Sequence, residues 1–439
     1  MSTTSVEEKG TPLPGEEKIA LEQLVPDDQE RQQSISEDEI EPAPEGGLRA
    51  WLVACGAASV FFCCLGFSNS FGTFTEYYLT HQLRDHTPDD VAWIGSLSAF
   101  LQFFTGMIGG PMFDRYGVKI MQPAAVIYIF AVMMLSLCKT YWQIILVQGV
   151  LMGSTMGFLQ FPAMGALAHY FDKKRAAAFG VAISGSSIGG IIMPIAVSRM
   201  LNATSIGFGW TVRIIGFLMV PFMAFSIIVI KARLPPRPTA FFITGVFRDA
   251  KFMLLITSTF FAFIGMFMPI IFLPTYAVEA RGMGATLAGY LPAILNAAST
   301  FGRVIPGILA DKYGKMNMYA GGTIVTAVVA FCMNSTHNNA GIIAYAAIFG
   351  FTSGTIISGA TVTITSCADD PRNIGTYTGM GLALGAVGVL IGPPIDGAFV
   401  AHYKSFEQVT MFSGAMCLVG GILVLLAKAA TPQGIFGKS

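Results

Sequence analysis

The chain has 439 residues, 53% hydrophobic and only 12% charged, with 26 basic and 26 acidic side chains and a formal net charge of zero. A soluble domain carries about 25% charged residues. A chain with half that share cannot clothe a water-facing surface, and its mean hydropathy of +0.62 excludes an ordinary soluble enzyme.

The first 45 residues hold thirteen of the 26 acidic side chains, are rich in Ser, Gln and Pro, and contain no aromatic residue. They cannot bury enough apolar area to fold, so they read as a disordered tail. They lack the basic and then apolar regions of a secretory signal peptide, and insertion is expected to rely on the first membrane helix.

A bilayer core is about 30 Å thick, so a spanning helix needs roughly 20 mostly apolar residues. Twelve stretches qualify: Trp51 to Thr73, Val91 to Met112, Val118 to Cys138, Trp142 to Ala168, Ala176 to Leu201, Val212 to Ile230, Phe252 to Ala277, Leu287 to Ala310, Met318 to Asn334, Ile342 to Thr365, Tyr377 to Val400 and Gln408 to Leu426. The predicted fold is an all-α membrane protein. Residues 46–230 form one six-helix bundle and 252–430 a second. Between them residues 231–251, with Pro235, Pro236 and Pro238, read as a linker, and 431–439 as a short cytoplasmic end.

Lys and Arg in short loops set the orientation. With the tail cytoplasmic, the inner loops and C-terminus hold fifteen of them and the outer loops five (Arg84, Lys139, Arg199, Arg281 and Lys404). Both termini are therefore expected in the cytoplasm. The sequons at Asn202 and Asn334 then fall on very short outer loops, a poor setting for glycosylation. The seven cysteines include no CxxC pair, and neither a disulfide framework, a metal nor a cofactor is expected.

Three sequence echoes join the halves. Gly109-Gly110-Pro111-Met112-Phe113-Asp114-Arg115-Tyr116-Gly117 follows the second span, and Pro306-Gly307-Ile308-Leu309-Ala310-Asp311-Lys312-Tyr313-Gly314 closes the eighth. Gly149, Gly153 and Gly157 in the fourth span match Gly350 and Gly354 in the tenth. Gly185, Gly189 and Pro194 in the fifth match Gly385, Gly388 and Pro393 in the eleventh. A duplicated bundle can rock about a site at its interface. Asp114, Arg115, Asp311 and Lys312 are the gating candidates, because a carboxylate there can pair with a cation or cap a neighbouring helix end in one state and release it in another.

These residues resemble the major facilitator superfamily, whose signature loop the two Asp-cation-Tyr-Gly turns match. Within it the chain is similar to the fungal branch of the monocarboxylate porter family. Glu45-Gly46-Gly47-Leu48-Arg49-Ala50-Trp51 resembles that family's opening motif. The stretch from Tyr170 through Asp172, Arg175 and Gly185 to Gly190 resembles the motif entering its fifth helix. The resemblance implies a twelve-helix transporter. It also exposes two departures. The lactate–proton carriers of the family have a Lys in helix one and an Asp one turn before an Arg in helix eight. Here no Lys or Arg lies between Trp51 and Leu83, and Ser299 stands four residues before Arg303.

Arg303 is the leading substrate-binding candidate, since a charge at that depth needs a cavity or a partner and a guanidinium can hold a carboxylate by two hydrogen bonds. Asn69, Gln160, Tyr276, Tyr290, Asn296 and Ser299 are candidates to line the path. Asp396 and Glu76, near the outer ends of their spans, are the candidates for proton coupling, although a solvated helix-end carboxylate is the plainer reading of each. The expected activity is secondary transport of a small organic solute, foremost a monocarboxylate or related anion, with or without a proton, by a monomer in the plasma or a vacuolar membrane. Export of a fungal secondary metabolite, carriage of a riboflavin-like vitamin and a non-transporting nutrient sensor are the alternatives. No nucleic-acid partner and no enzymatic activity are expected: His81 and His86 form no complete metal box, and there is no Gly-Lys-Ser/Thr phosphate loop.

Overall fold

The structure is a computed structural model that describes residues 42–202, 204–235, 242–431 and 434, side chains 88, 89 and 244 excepted. The expected acidic tail up to residue 41, Arg237, Pro236 and Pro238 of the linker, and most of the C-terminal end lie outside the described residues. The chain from Pro44 onward forms one unit, helical throughout and without strands among the described residues.

Among the described residues, eleven continuous helical runs are long and apolar enough to cross a membrane, and one of them, Asp90–Leu135, has 46 residues. At 1.5 Å per residue that run would reach about 69 Å if straight, more than twice a bilayer core. It turns back at Gly117, whose φ of 68° is open to glycine at little cost. The result is twelve crossings. These are α1 (Gly47–Ser68), α2 (Pro88–Phe104, continued as Gly106–Tyr116), α3 (Met121–Leu135), α4 (Gly153–Ala168), α5 (Arg175–Asn202) and α6 (Gly207–Val229), then α7 (Ala250–Glu279), α8 (Leu291–Tyr313), α9 (Lys315–Phe331), α10 (Asn339–Thr365), α11 (Ile374–Tyr403) and α12 (Glu407–Ala429). The sixth begins at Gly207 rather than Val212, because the polar-looking Gly-Phe-Gly-Trp-Thr lead-in is already helical.

Local chemistry explains several boundaries. Thr87 caps α2: its hydroxyl accepts the Asp90 amide at 3.2 Å while Asp90 accepts the Thr87 amide at 3.0 Å, with Pro88 in the first turn. Asn338 caps α10 through the Gly341 amide at 2.7 Å. Inside α7, Pro269 leaves the Gly265 carbonyl without its helical donor, and the Ser413 hydroxyl of α12 supplies one at 2.6 Å. In lipid such a carbonyl finds no water, so the substitute donor is what makes the proline tolerable.

The echo between the fourth and tenth spans reappears as equivalent packing, and that between the fifth and eleventh reappears about one turn later, with Gly388 and Gly392 rather than Gly385 and Gly388 in the places of Gly185 and Gly189. Gly185 and Gly189 of α5 press on Ala58, Phe62 and Gly66 of α1, as Gly388 and Gly392 of α11 press on Phe260 and Ile264 of α7. Likewise Gly153 and Gly157 of α4 abut Ser98 and Gln102 of α2, and Gly350 and Gly354 of α10 abut Leu295 and Ser299 of α8. Without a hydrophobic force between helices in lipid, close backbone approach at small residues is what holds such pairs.

Candidate functional site: two carboxylate latches between the halves

At the end of the bundle that carries the Asp-cation-Tyr-Gly turns, each half caps a helix of the other. The Asp114 carboxylate of α2 accepts the Gly375 amide at 3.1 Å, and the Thr376 amide and hydroxyl at 2.6 Å each, at the start of α11. Asp311 of α8 accepts the Ala176 and Ala177 amides at 2.9 and 2.8 Å, at the start of α5. The first amides of a helix have no partner of their own and carry the positive end of its dipole, so a carboxylate is the natural acceptor. Arg115 and Lys312 do not join these latches. They are exposed and lie over the rings of Tyr116 and Tyr313, 5.8 and 5.3 Å from the centroids.

Backbone meets backbone beside each latch. A Cβ on Gly110 would collide with the Gly375 carbonyl, one on Gly379 with the Gly106 carbonyl, and one on Gly180 with the Arg303 carbonyl. One on Gly307 would sit 2.7 Å from the Ala176 oxygen. This end of the interface between halves is therefore shut without intervening side chains.

A third carboxylate supports it. Glu45, just before α1, accepts the amides of Asp172, Lys173 and Lys174 at 2.9, 2.7 and 3.0 Å, which straps the chain to the loop leading into α5. Burial opposes its ionisation, but those three amides outweigh it and hold Glu45 below the usual carboxylate range. In the same loop Arg175 pairs with Asp172 at 3.0 Å. A cavity of about 320 Å³ opens beside the first latch, among Asp114, Lys119, His169, Lys231 and Arg372. Burial, and next the Arg233 charge, push the His169 imidazole down to about 4, so it is neutral at physiological pH.

Above the latches the sequence candidates divide into those that meet at the interface and those that do not. Asn69, just past the end of α1, and Asn296 of α8 converge over Gly190 of α5, where a Cβ would lie 2.8 Å from both side chains. Asn69 is exposed and Asn296 half-buried. Tyr290, 43% exposed, stands nearer the opposite end of the bundle. Arg303 lies one layer deeper. Its guanidinium donates to the Ile183 carbonyl at 2.8 Å and to the Ser186 hydroxyl, both on α5, while its Nε has no hydrogen-bond partner among the described residues. Ser299 is buried one turn away. Gln160 accepts from Gln102 at 3.2 Å, and its own amide nitrogen has no hydrogen-bond partner among the described residues.

Tyr276 is not at the interface. It is 1% exposed, donates to the Met333 carbonyl at 3.0 Å and receives Arg281 at 2.7 Å, a tie within the second half. Glu76 is exposed. Asp396 is fully buried rather than solvated, which overturns the plainer reading of that carboxylate. The Asn334 amide is occupied by Thr410 at 2.6 Å, and Asn202 is exposed. Sequence reasoning missed Ser186, Thr376 and Glu45 as partners. Two of them stand in stretches already picked out, the Ser184-Gly185-Ser186-Ser187 run and the Glu-Gly-Gly opening, but nothing in spacing names what they touch.

The profile of the Major Facilitator Superfamily matches residues 56–383 and 307–436 of the chain. The chain belongs to the Major Facilitator Superfamily. Among the relatives of this facilitator, the "Aspyridones efflux protein apdF" of Emericella nidulans is 47% identical over 396 residues, covering 90% of this chain and 81% of the relative. The "Agnestins efflux protein AgnL12" of Paecilomyces divaricatus is 34% identical, covering 91% and 92%. The solved structure of the human organic anion transporter MFSD10 (TETRAN) superimposes with a TM-score of 0.69 at 11% identity, over 86% of this chain and all of that one. That likeness speaks to the fold.

Proposed function

We propose that this facilitator exports a small organic metabolite by alternating access, with both chain ends and the latched end of the bundle in the cytoplasm. The observation that carries the reading is the pair of reciprocal latches, Asp114 on α11 and Asp311 on α5, closing one end of the interface on which Asn69 and Asn296 meet over Gly190. Release of both latches would open that interface to the cytoplasm and let it close at the other face. The cargo class draws support from relatives that are named as efflux proteins for fungal metabolites. The excess of Lys and Arg in loops at the latched end supports the orientation. The protein works as a monomer in this reading, in the plasma membrane or a vacuolar membrane.

An organic anion, including a monocarboxylate, is the second reading of the cargo. Arg303 favours it, since its Nε is buried without an acceptor among the described residues and a substrate carboxylate would supply one. Flux of labelled solutes in inside-out vesicles separates the readings. The panel comprises neutral and acidic secondary metabolites, short monocarboxylates and riboflavin. Uptake of secondary metabolites alone supports export of that class. Uptake of acetate- or lactate-sized acids alone replaces it with the anion reading, and no flux of any solute supports a sensor.

A further inference from the structure

Asp396 is the ionisable group that the latches and the interface above them leave unexplained. On α11 it follows Gly385, Gly388 and Gly392 at helical spacings of three, four and four, so all four share one face. Gly388 and Gly392 lie against Phe260 and Ile264 of α7. One turn further on, Asp396 enters the same seam, 0% exposed, with neither carboxylate oxygen hydrogen-bonded to a described residue.

Among the described residues of the helices packed against it, no cation is placed to neutralise it. The charged residues of α7 are Lys251 and Glu279, near its two ends, and those of α12 are Glu407 and Lys428, also near its ends. Neither α10 nor α4 carries any charged residue. On α2 the charges are Asp89 and Asp90 at one end and Asp114 and Arg115 at the other, and α11 itself adds only His402 in its last turn. The titratable groups within electrostatic reach are the Cys417 thiol of α12 and, next to that thiol, the Tyr345 phenol of α10. An ionised carboxylate buried with neither cation nor donor costs several kcal/mol, so the group fits this seam as the neutral acid.

Two further features give that acid a route to water and a link to the gate. Pro393 and Pro394 precede it and remove the helical donors to the Val389 and Leu390 carbonyls, so α11 bends most cheaply just there. At the other end of the same helix, Gly375 and Thr376 are the amides that Asp114 holds. A charge on Asp396 would favour moving α11 off α7, and moving α11 strains the first latch.

We propose that Asp396 is the proton-binding site of this transporter, protonated and sealed in the closed-latch conformation of the structure and exposed to water when α11 moves off α7. On opening, the Asp396 O–H bond breaks and the proton passes to water, leaving the carboxylate. On return, the carboxylate takes a proton from the other side. In the proposed orientation a proton enters as a metabolite leaves. That coupling rests on the export reading, whereas the link between the carboxyl and the latch does not.

Two measurements on the full chain test it. In proteoliposomes, one proton per solute would let the wild type accumulate a carried metabolite about tenfold per unit of pH gradient. Asp396→Asn, which has the shape of the acid, should keep solute–solute exchange and lose that drive. Drive retained in the variant overturns the assignment. The second readout needs no solute: hydrogen exchange of the peptide bearing Gly375 and Thr376, compared with Asp396→Asn at each pH so that the intrinsic pH effect cancels. The wild type should exchange with the variant's rate in acid and several-fold faster in alkali. Parallel curves at all pH values sink the link to the latch. Should no solute be transported at all, the export reading fails and the exchange curves still decide the fate of Asp396.

Discussion

Asp311 accepts the Ala176 amide at 2.9 Å across 135 residues of sequence and across the interface between the halves. It is the mirror of what Asp114 does for α11. Each latch combines hydrogen bonds to a charged group, about 1.5–3 kcal/mol apiece when buried, with a helix dipole. Asp311→Asn keeps the shape and loses the charge. The latched end should then open more often, by roughly 5- to 150-fold for about 1–3 kcal/mol. The alkylation rate of a cysteine placed at Ala177, in a background lacking the exposed Cys55 and Cys332, reports it. An unchanged rate would mean that closure does not depend on this carboxylate.

The bare-backbone contacts make a sharper forecast. Gly110→Ala or Gly379→Ala puts a methyl group into a carbonyl of the opposite half. Either should hold the latched end open and cut transport at least about tenfold, since overpacking costs about 1–3 kcal/mol. Gly321→Ala on α9 meets nothing within 4 Å and is the matched control. Equal transport by all three variants would refute the contact.

Arg303→Ala should abolish flux with expression intact, because it removes the bonds from α8 to Ile183 and Ser186. Arg303→Lys should recover little, since an ammonium cannot reproduce the planar fork. Full flux in the alanine variant would take Arg303 out of the transport machinery.

His169 gives stability a pH dependence. Its folded value, near 4, lies below the ordinary imidazole value of 6.5, so between those values the unfolded chain binds the proton and the folded chain does not. Stability contributed by neutral His169 is therefore present above pH 6.5 and lost as pH falls from there towards 4, by a few kcal/mol at most. Melting temperature in detergent should drop over that window, and His169→Gln should flatten the drop. A variant with the same slope as the wild type would place the titration elsewhere.

Hydropathy and the duplicated turn made most of the architecture legible, because depth in a bilayer is written residue by residue and a repeat is visible as text. Azimuth is not. That Asp114 meets Thr376, or that Arg303 is held by Ser186, depends on how helices rotate against one another, and α11 gives no clear polar face to read. Asp396 illustrates the limit. Its position near a helix end suggested water, while the glycine stripe that carries it into the seam with α7 could be counted but not aimed. The turn cations are a related case: Arg115 and Lys312 stand beside the carboxylates in sequence, yet in this conformation they lie over tyrosine rings while peptide amides of the opposite half bind the carboxylates.

Because the two closures lie on separate helix pairs, α2 with α11 and α5 with α8, a brief breach of one leaves the other shut. If the breaches are independent, leakage scales as the product of two small probabilities. Two clasps that each fail one time in a hundred would leak about once in ten thousand. A carrier built this way can slide its halves on weak, quickly broken bonds and still keep the gradients on either side of it apart.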